Sequence, residues 1–163
     1  SIVTPLKDRI GSQILTHYPK DVEIAKQITQ QEVKLSNNQQ NIQVPEIAQL
    51  LLEQISFEAR ESEYIDVKSG VSARLSISAY ENLVSTAERR AMINDETETQ
   101  VRLSDFNGIL PALTGKIELL YEGEQEGVEF VAQGLIEKAI QKIYLTYFPE
   151  IKKLEKECRI QNL

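Results

Sequence analysis

The chain has 163 residues, a formal net charge of −7, 41% hydrophobic residues and 26% charged ones. That length suits one ordinary domain, or one small domain plus pieces of another. The negative balance means that nucleic acid or an anionic membrane could be held only by a dense basic patch; the sequence has none, so neither partner is expected.

Pro5 and the residues after it suggest a short helical turn, and "SQILTH" over Ser12–His17 alternates well enough for a short strand whose partners lie elsewhere. Val22, Ile24, Ala25, Ile28 and Val33 recur near a 3.6-residue period, which predicts a helix from about Lys20 to Leu35. "SNNQQNIQ" breaks that period and reads as a surface loop. Pro45 is then expected as the first residue of a core helix bearing Ile47, Leu50, Leu51, Ile55 and Phe57 on its apolar face.

After "DVKSG", Ser72 or Ser76 can cap a further helix that runs to Ile93 with Leu75, Ile77, Ala79, Tyr80, Leu83, Val84 and Ala87. "NDETETQ" reads as an exposed acidic connection. "VRLSDFNGILPALTGKIEL" predicts a short extended piece and then one helix, capped by Ser104 or Asp105 and carrying Ile109, Leu110 and Leu113. "YEGEQEG" reads as a flexible acidic loop, "VEFVAQGLIEKAIQKIYLTYF" as a long helix stopped near Pro149, and "EIKKLEKECRI" as a charged last helix. The fold class is therefore mainly α, a helical bundle with a short strand remnant near the N-terminus and a C-terminal helical extension. Leu51, Ile55, Leu83, Ala87 and Leu110 are expected in its core.

Chemistry of the chain's own is hard to find. Cys158 is the only cysteine and His17 the only histidine, which excludes an internal disulfide and a Cys/His zinc site, and no metal site is expected. "GILPALTGKI" holds the Gly-Lys pair of a phosphate loop, but Leu110 replaces its first glycine and Ile117 its magnesium-binding hydroxyl residue. No apolar run approaches the roughly 20 residues that span a bilayer and no signal-peptide pattern opens the chain, so a cytoplasmic location is expected. The first residue is Ser1, and "SIVTPLKDR" lacks a domain start, which suggests a fragment of a longer protein.

Arg74 is the odd residue. It stands at the opening of a helix, where unpaired amides and the positive end of the macrodipole favour acids, so it is misplaced unless an anion comes to meet it. Arg9, next to Asp8, is a second candidate.

Three segments together carry a family resemblance. "PLKDRIGSQI" resembles the segment that closes the nucleotide-binding core of AAA+ ATPases of the magnesium-chelatase and MoxR kind. "SGVSARLSISAYENLVSTAERRAM" resembles the sensor-2 segment opening a helix of their lid, and "VRLSDFNGILPALTGKIEL" the next lid element. The resemblance spans Ile2 to Glu126. It implies that residues 1–18 end the ATPase core, 19–122 form the helical lid, and 123–163 add an acidic loop and a helical extension.

By the same resemblance, Arg74 would reach the γ-phosphate of ATP in its own subunit, and Arg9 would be an arginine finger for the neighbouring subunit's nucleotide. ATP and Mg²⁺ would be the cofactors of the intact protein. It would work as a homo-oligomeric ring, expected to be a hexamer, on an unidentified protein client or in metal insertion. The phosphate loop, the magnesium-binding acidic motif and the polar sensor-1 residue are missing from this sequence, and the tail from Val128 has no counterpart in the family. The competing reading is a free-standing helical adaptor or regulatory module with ordinary arginines. If the lid reading holds, calorimetric titration of this chain with ATP should detect weak binding or none, and micromolar affinity would contradict it.

Overall fold

A helix starts where something can accept its first unpaired amides. In the computed structural model, which describes residues 9–12, 14, 17–66 and 71–148, Asp21 does this by accepting the Glu23 amide at 3.0 Å. Helix α1 then runs Val22–Glu32 and presents Ala25 and Thr29 to the interior. Of the strand expected over Ser12–His17, the described residues 12, 14 and 17 are not extended into any ladder. The turn expected after Pro5 and the last helix expected after Pro149 lie outside the described residues.

Helix α2, Glu46–Glu61, is buried on more than one side: Ala48, Leu51, Leu52, Ile55 and Ala59 all face the interior. Pro45 stays outside it. Its backbone is extended, at φ −56° and ψ 147°, and its carbonyl accepts the Ala48 and Gln49 amides, so proline serves as the cap rather than the expected first helical residue. Helix α3, Arg74–Ile93, places Leu75, Ala79, Leu83, Val84, Ala87 and Ala91 in the core along the expected stripe.

The single helix expected after Arg102 is split in two. A 3₁₀ segment, Leu103–Ile109, precedes the short α4, Leu110–Thr114. The reason is Pro111, which has no amide to donate back to Asn107 and whose ring would strike that carbonyl in a continuous α-helix. The tighter 3₁₀ pitch also turns Ile109 and Leu113 fully inward and leaves Leu110 only half-buried, against expectation.

The acidic stretch "YEGEQEG", expected as a loop, forms α5, Tyr121–Glu126. The Leu120 amide bonds to the Tyr64 carbonyl at 2.8 Å, and this fixes the first turn against the chain that leaves α2. Gly123 permits the approach, since a β-carbon there would sit 2.6 Å from the same Tyr64 oxygen. Gly127 then adopts φ 93°, a value glycine tolerates, and reverses the chain into α6, Val128–Tyr147.

Val131, Ala132, Leu135, Ile136 and Ala139 of α6 join the same core cluster as α2, α3 and α4. Helix α6 packs chiefly on α2 and α4, and α1 lies across α2 and α3. Lys142 on α6 also reaches back to Glu58 on α2 at 2.6 Å. The described residues thus form a helical bundle of six α-helices, with two isolated bridges, Gln43 to Gln100 and Ile65 to Leu119, in place of a sheet. No helix among them is long and apolar enough to cross a membrane.

The return from α3 is held by one side chain. Arg90 donates from Nε and Nη2 to the two Asp105 carboxylate oxygens, from Nη1 to Glu96 and Thr99, and from Nη2 to the Gln100 carbonyl, which occupies all five of its N–H groups. Burial pushes the Asp105 carboxyl up, but the bonds from Arg90 and the Arg102 amide outweigh this and hold it below its ordinary range. Most of "NDETETQ" is exposed as expected, while Glu96 and Thr99 turn inward to this guanidinium.

Leu83 is 0% exposed at the centre of α3. Leu83→Ala should lower unfolding free energy by about 2–5 kcal/mol in a urea titration. A loss under about 0.5 kcal/mol would mean that this helix face does not carry the core.

Candidate functional site

The start of α3 is assembled from three other parts of the chain. Ser72, rather than Ser76, performs the local capping: its Oγ accepts the Arg74 amide at 3.2 Å and its carbonyl accepts the Leu75 amide at 2.9 Å. Arg74, the first helical residue, projects outward and is exposed. No acidic residue lies in this first turn. Among the described residues, no carboxylate pairs with the Arg74 guanidinium and no hydrogen bond engages it. A cation at the positive end of a helix, with no internal counter-charge, leaves local positive potential open to solvent.

Ser76, two residues on, points the opposite way. Its Oγ donates to Glu53 Oε2 at 2.8 Å and lies 2.7 Å from Ser56 Oγ. With the Ser76 proton committed to Glu53, the Ser56 hydroxyl supplies the proton between the two serines. Thr29 Oγ1 donates to the other Glu53 oxygen at 2.5 Å. Glu53 is 2% exposed, and its three hydroxyl neighbours are buried with it. The result is a polar cluster, spanning α1, α2 and α3, that fixes the turn carrying Arg74.

A second tie comes from Arg60 in the last turn of α2. Its Nε donates to the Val71 carbonyl at 3.2 Å, just ahead of the capping serine. The guanidinium carbon lies 4.7 Å from the centre of the Tyr18 ring and 5.3 Å from that of Phe57. The cation is half-buried between apolar faces, an arrangement that suits a flat, weakly hydrated guanidinium. Arg60 therefore joins the chain entering α1, the end of α2 and the lead-in to α3.

Arg9, the other candidate, lies exposed in a turn before α1. No hydrogen bond, ion pair or ring contact among the described residues joins it to Arg74 or to the polar cluster. Arg60, Glu53 and Ser76 were not candidates from the sequence. Two signals point to them in retrospect: Arg60 follows Phe57 at the i+3 spacing that puts both on one helix face, and Glu53 interrupts the apolar run "LLEQI" at a position flanked by core residues.

Comparison of the chain with family models, with curated proteins and with solved structures finds no match.

Burial raises the Glu53 carboxyl above its ordinary 4.5, with the Thr29 and Ser76 hydroxyls and the Arg60 charge opposing the rise only in part. The folded chain thus binds this proton more tightly than the unfolded chain does. Its contribution to stability is fully present below the unfolded pKa and is lost as pH rises through the folded one. Glu53→Gln removes that titration and keeps an oxygen to accept a hydroxyl. Denaturation curves of the two proteins between about pH 4 and 8 should show the variant gaining stability relative to the parent as pH rises. A difference that stays constant with pH would mean that Glu53 titrates as an ordinary surface acid.

Proposed function

We propose that this chain is the lid portion of a magnesium-chelatase-like AAA+ ATPase, in which Arg74 senses the γ-phosphate of ATP bound in its own subunit. The observation that supports this reading is the exposed Arg74 guanidinium, which no carboxylate meets among the described residues, at the start of a 20-residue helix whose first turn is fastened to α2 and, through Glu53, linked to α1. A fixed fork of donors beside a helix N-terminus suits a phosphate oxygen, because both contributions favour negative charge at the same place. The sequence order of the three resembling segments and the helical bundle agree with the reading.

Arg9 then acts as the finger toward the neighbouring subunit's nucleotide in a homo-oligomeric ring, most simply a hexamer. A finger stabilises transition-state charge and is worth about 10³ to 10⁵ in rate. In this reading the phosphate cradle and the magnesium site lie outside this chain, which by itself is not expected to hydrolyse ATP. The intact machine works in the cytoplasm, remodelling a protein client or driving metal insertion.

The test uses the full-length protein encoded by the gene, whose reading frame upstream of Ser1 should contain a phosphate loop. Arg74→Ala should lower ATP turnover about 100-fold in every subunit that carries it. Arg9→Ala should spare ATP binding in its own subunit and disable the neighbour. Rings mixed from Arg9→Ala subunits and subunits with a dead phosphate loop but intact Arg9 should regain part of the activity that both parents lack. Normal turnover of the Arg74→Ala protein, or a start codon immediately before Ser1, would overturn the lid reading. Mixed rings that form and recover nothing would remove the finger role of Arg9.

A further inference from the structure

We propose that Arg60 is a positioning residue for Arg74, linking the segment that enters the bundle at Tyr18 to the lead-in of the phosphate-sensing helix. The inference rests on the lid reading of Arg74. It starts from a geometric fact: one side chain of α2 touches two segments, at Tyr18 and at Val71, that lie on either side of it in sequence. The guanidinium presents a face to the Tyr18 ring 4.7 Å away, while its Nε edge holds the Val71 carbonyl.

Val71 is buried, and the residues after it have little freedom. Ser72 accepts the Arg74 amide on its hydroxyl and the Leu75 amide on its carbonyl, and Ser76 is fastened to Glu53. A shift of Val71 is therefore passed on to the first turn of α3. Downstream, the cluster around Glu53 fixes that turn's tilt; upstream, Arg60 alone among these contacts ties it to Tyr18, just ahead of α1. The Tyr18 ring is the lever, since any swing of the entering segment moves the surface on which the guanidinium rests.

Only a planar cation meets both demands at once. Lysine at position 60 keeps the charge but has neither a flat face for the ring nor an Nε donor set at the guanidinium angle. Arg60→Lys in the full-length protein should weaken binding of a non-hydrolysable ATP analogue about 10-fold and lower turnover by a similar factor, while leaving ADP affinity unchanged. ADP lacks the phosphate that Arg74 senses. Tyr18→Leu, which keeps an apolar residue but removes the ring face, should act in the same direction and replaces Arg60→Lys in the comparison if that variant does not fold. On an Arg74→Ala background neither substitution should have a further effect, because the group they position is gone.

Normal ATP-analogue binding in both variants, beside an impaired Arg74→Ala protein, would overturn the positioning role and leave the lid reading standing. Equal weakening of ADP and ATP-analogue binding, or a full further loss on the Arg74→Ala background, would reduce Arg60 to a general structural contact and overturn it too. Normal turnover of Arg74→Ala would overturn the lid reading and this inference together.

Discussion

A carboxylate sealed inside a helical bundle sets the geometry of everything around it. Glu53 lies where α1, α2 and α3 meet, and burial there strips it of water that only hydroxyls from the other helices replace. A leucine would be simpler to bury, but it would let the helices slide. The carboxylate accepts bonds in particular directions, so Thr29 and Ser76 must arrive at defined heights along their helices for the burial to be tolerated. The register of α1 and α3 against α2 is thereby specified by chemistry that ordinary apolar packing leaves loose.

Arg90 does the same at the opposite end of α3. Its five donors gather a carboxylate from the 3₁₀ segment, a second carboxylate and a hydroxyl from the acidic connection, and a main-chain oxygen beside the Gln43 bridge. The long α3 is thus held by a buried acid near its beginning and a saturated base near its end. Between these points the packing is apolar: Ala79, Leu83 and Ala87 are small or branched enough to let α3 lie close against its neighbours.

The helices were legible because their information is local. A 3.6-residue stripe marked α2, α3 and α6, and the extents differ from the reading by a few residues at the ends, where backbone pairing rather than periodicity decides. Legibility failed where a distant partner changed the outcome. Nothing in "YEGEQEG" announces a helix, since its first turn depends on the Tyr64 carbonyl nearly sixty positions earlier. Pro45 and Pro111 are both permissive near a helix start, yet the first lies outside its helix and the second divides one expected helix into two. The site divides along the same line. Arg74 stood out from the sequence because the helix dipole makes a cation there anomalous, a strictly local argument. Arg60, Glu53 and Ser76 look ordinary until folding brings Tyr18, Val71 and Thr29 to them.

Helix α6 has a consequence for how such a chain comes off the ribosome. The core cluster includes five of its residues, and they cover α2 and α4 on a side that nothing earlier in the described chain closes. The core residues of α2 and α4 that share this cluster can therefore complete their burial only after Val128–Tyr147 has been synthesised. The helices themselves form locally and fast, so the delay falls on their final docking. Until then part of that apolar surface stays open, and the positive-φ turn at Gly127 is where the chain turns to bring α6 over it.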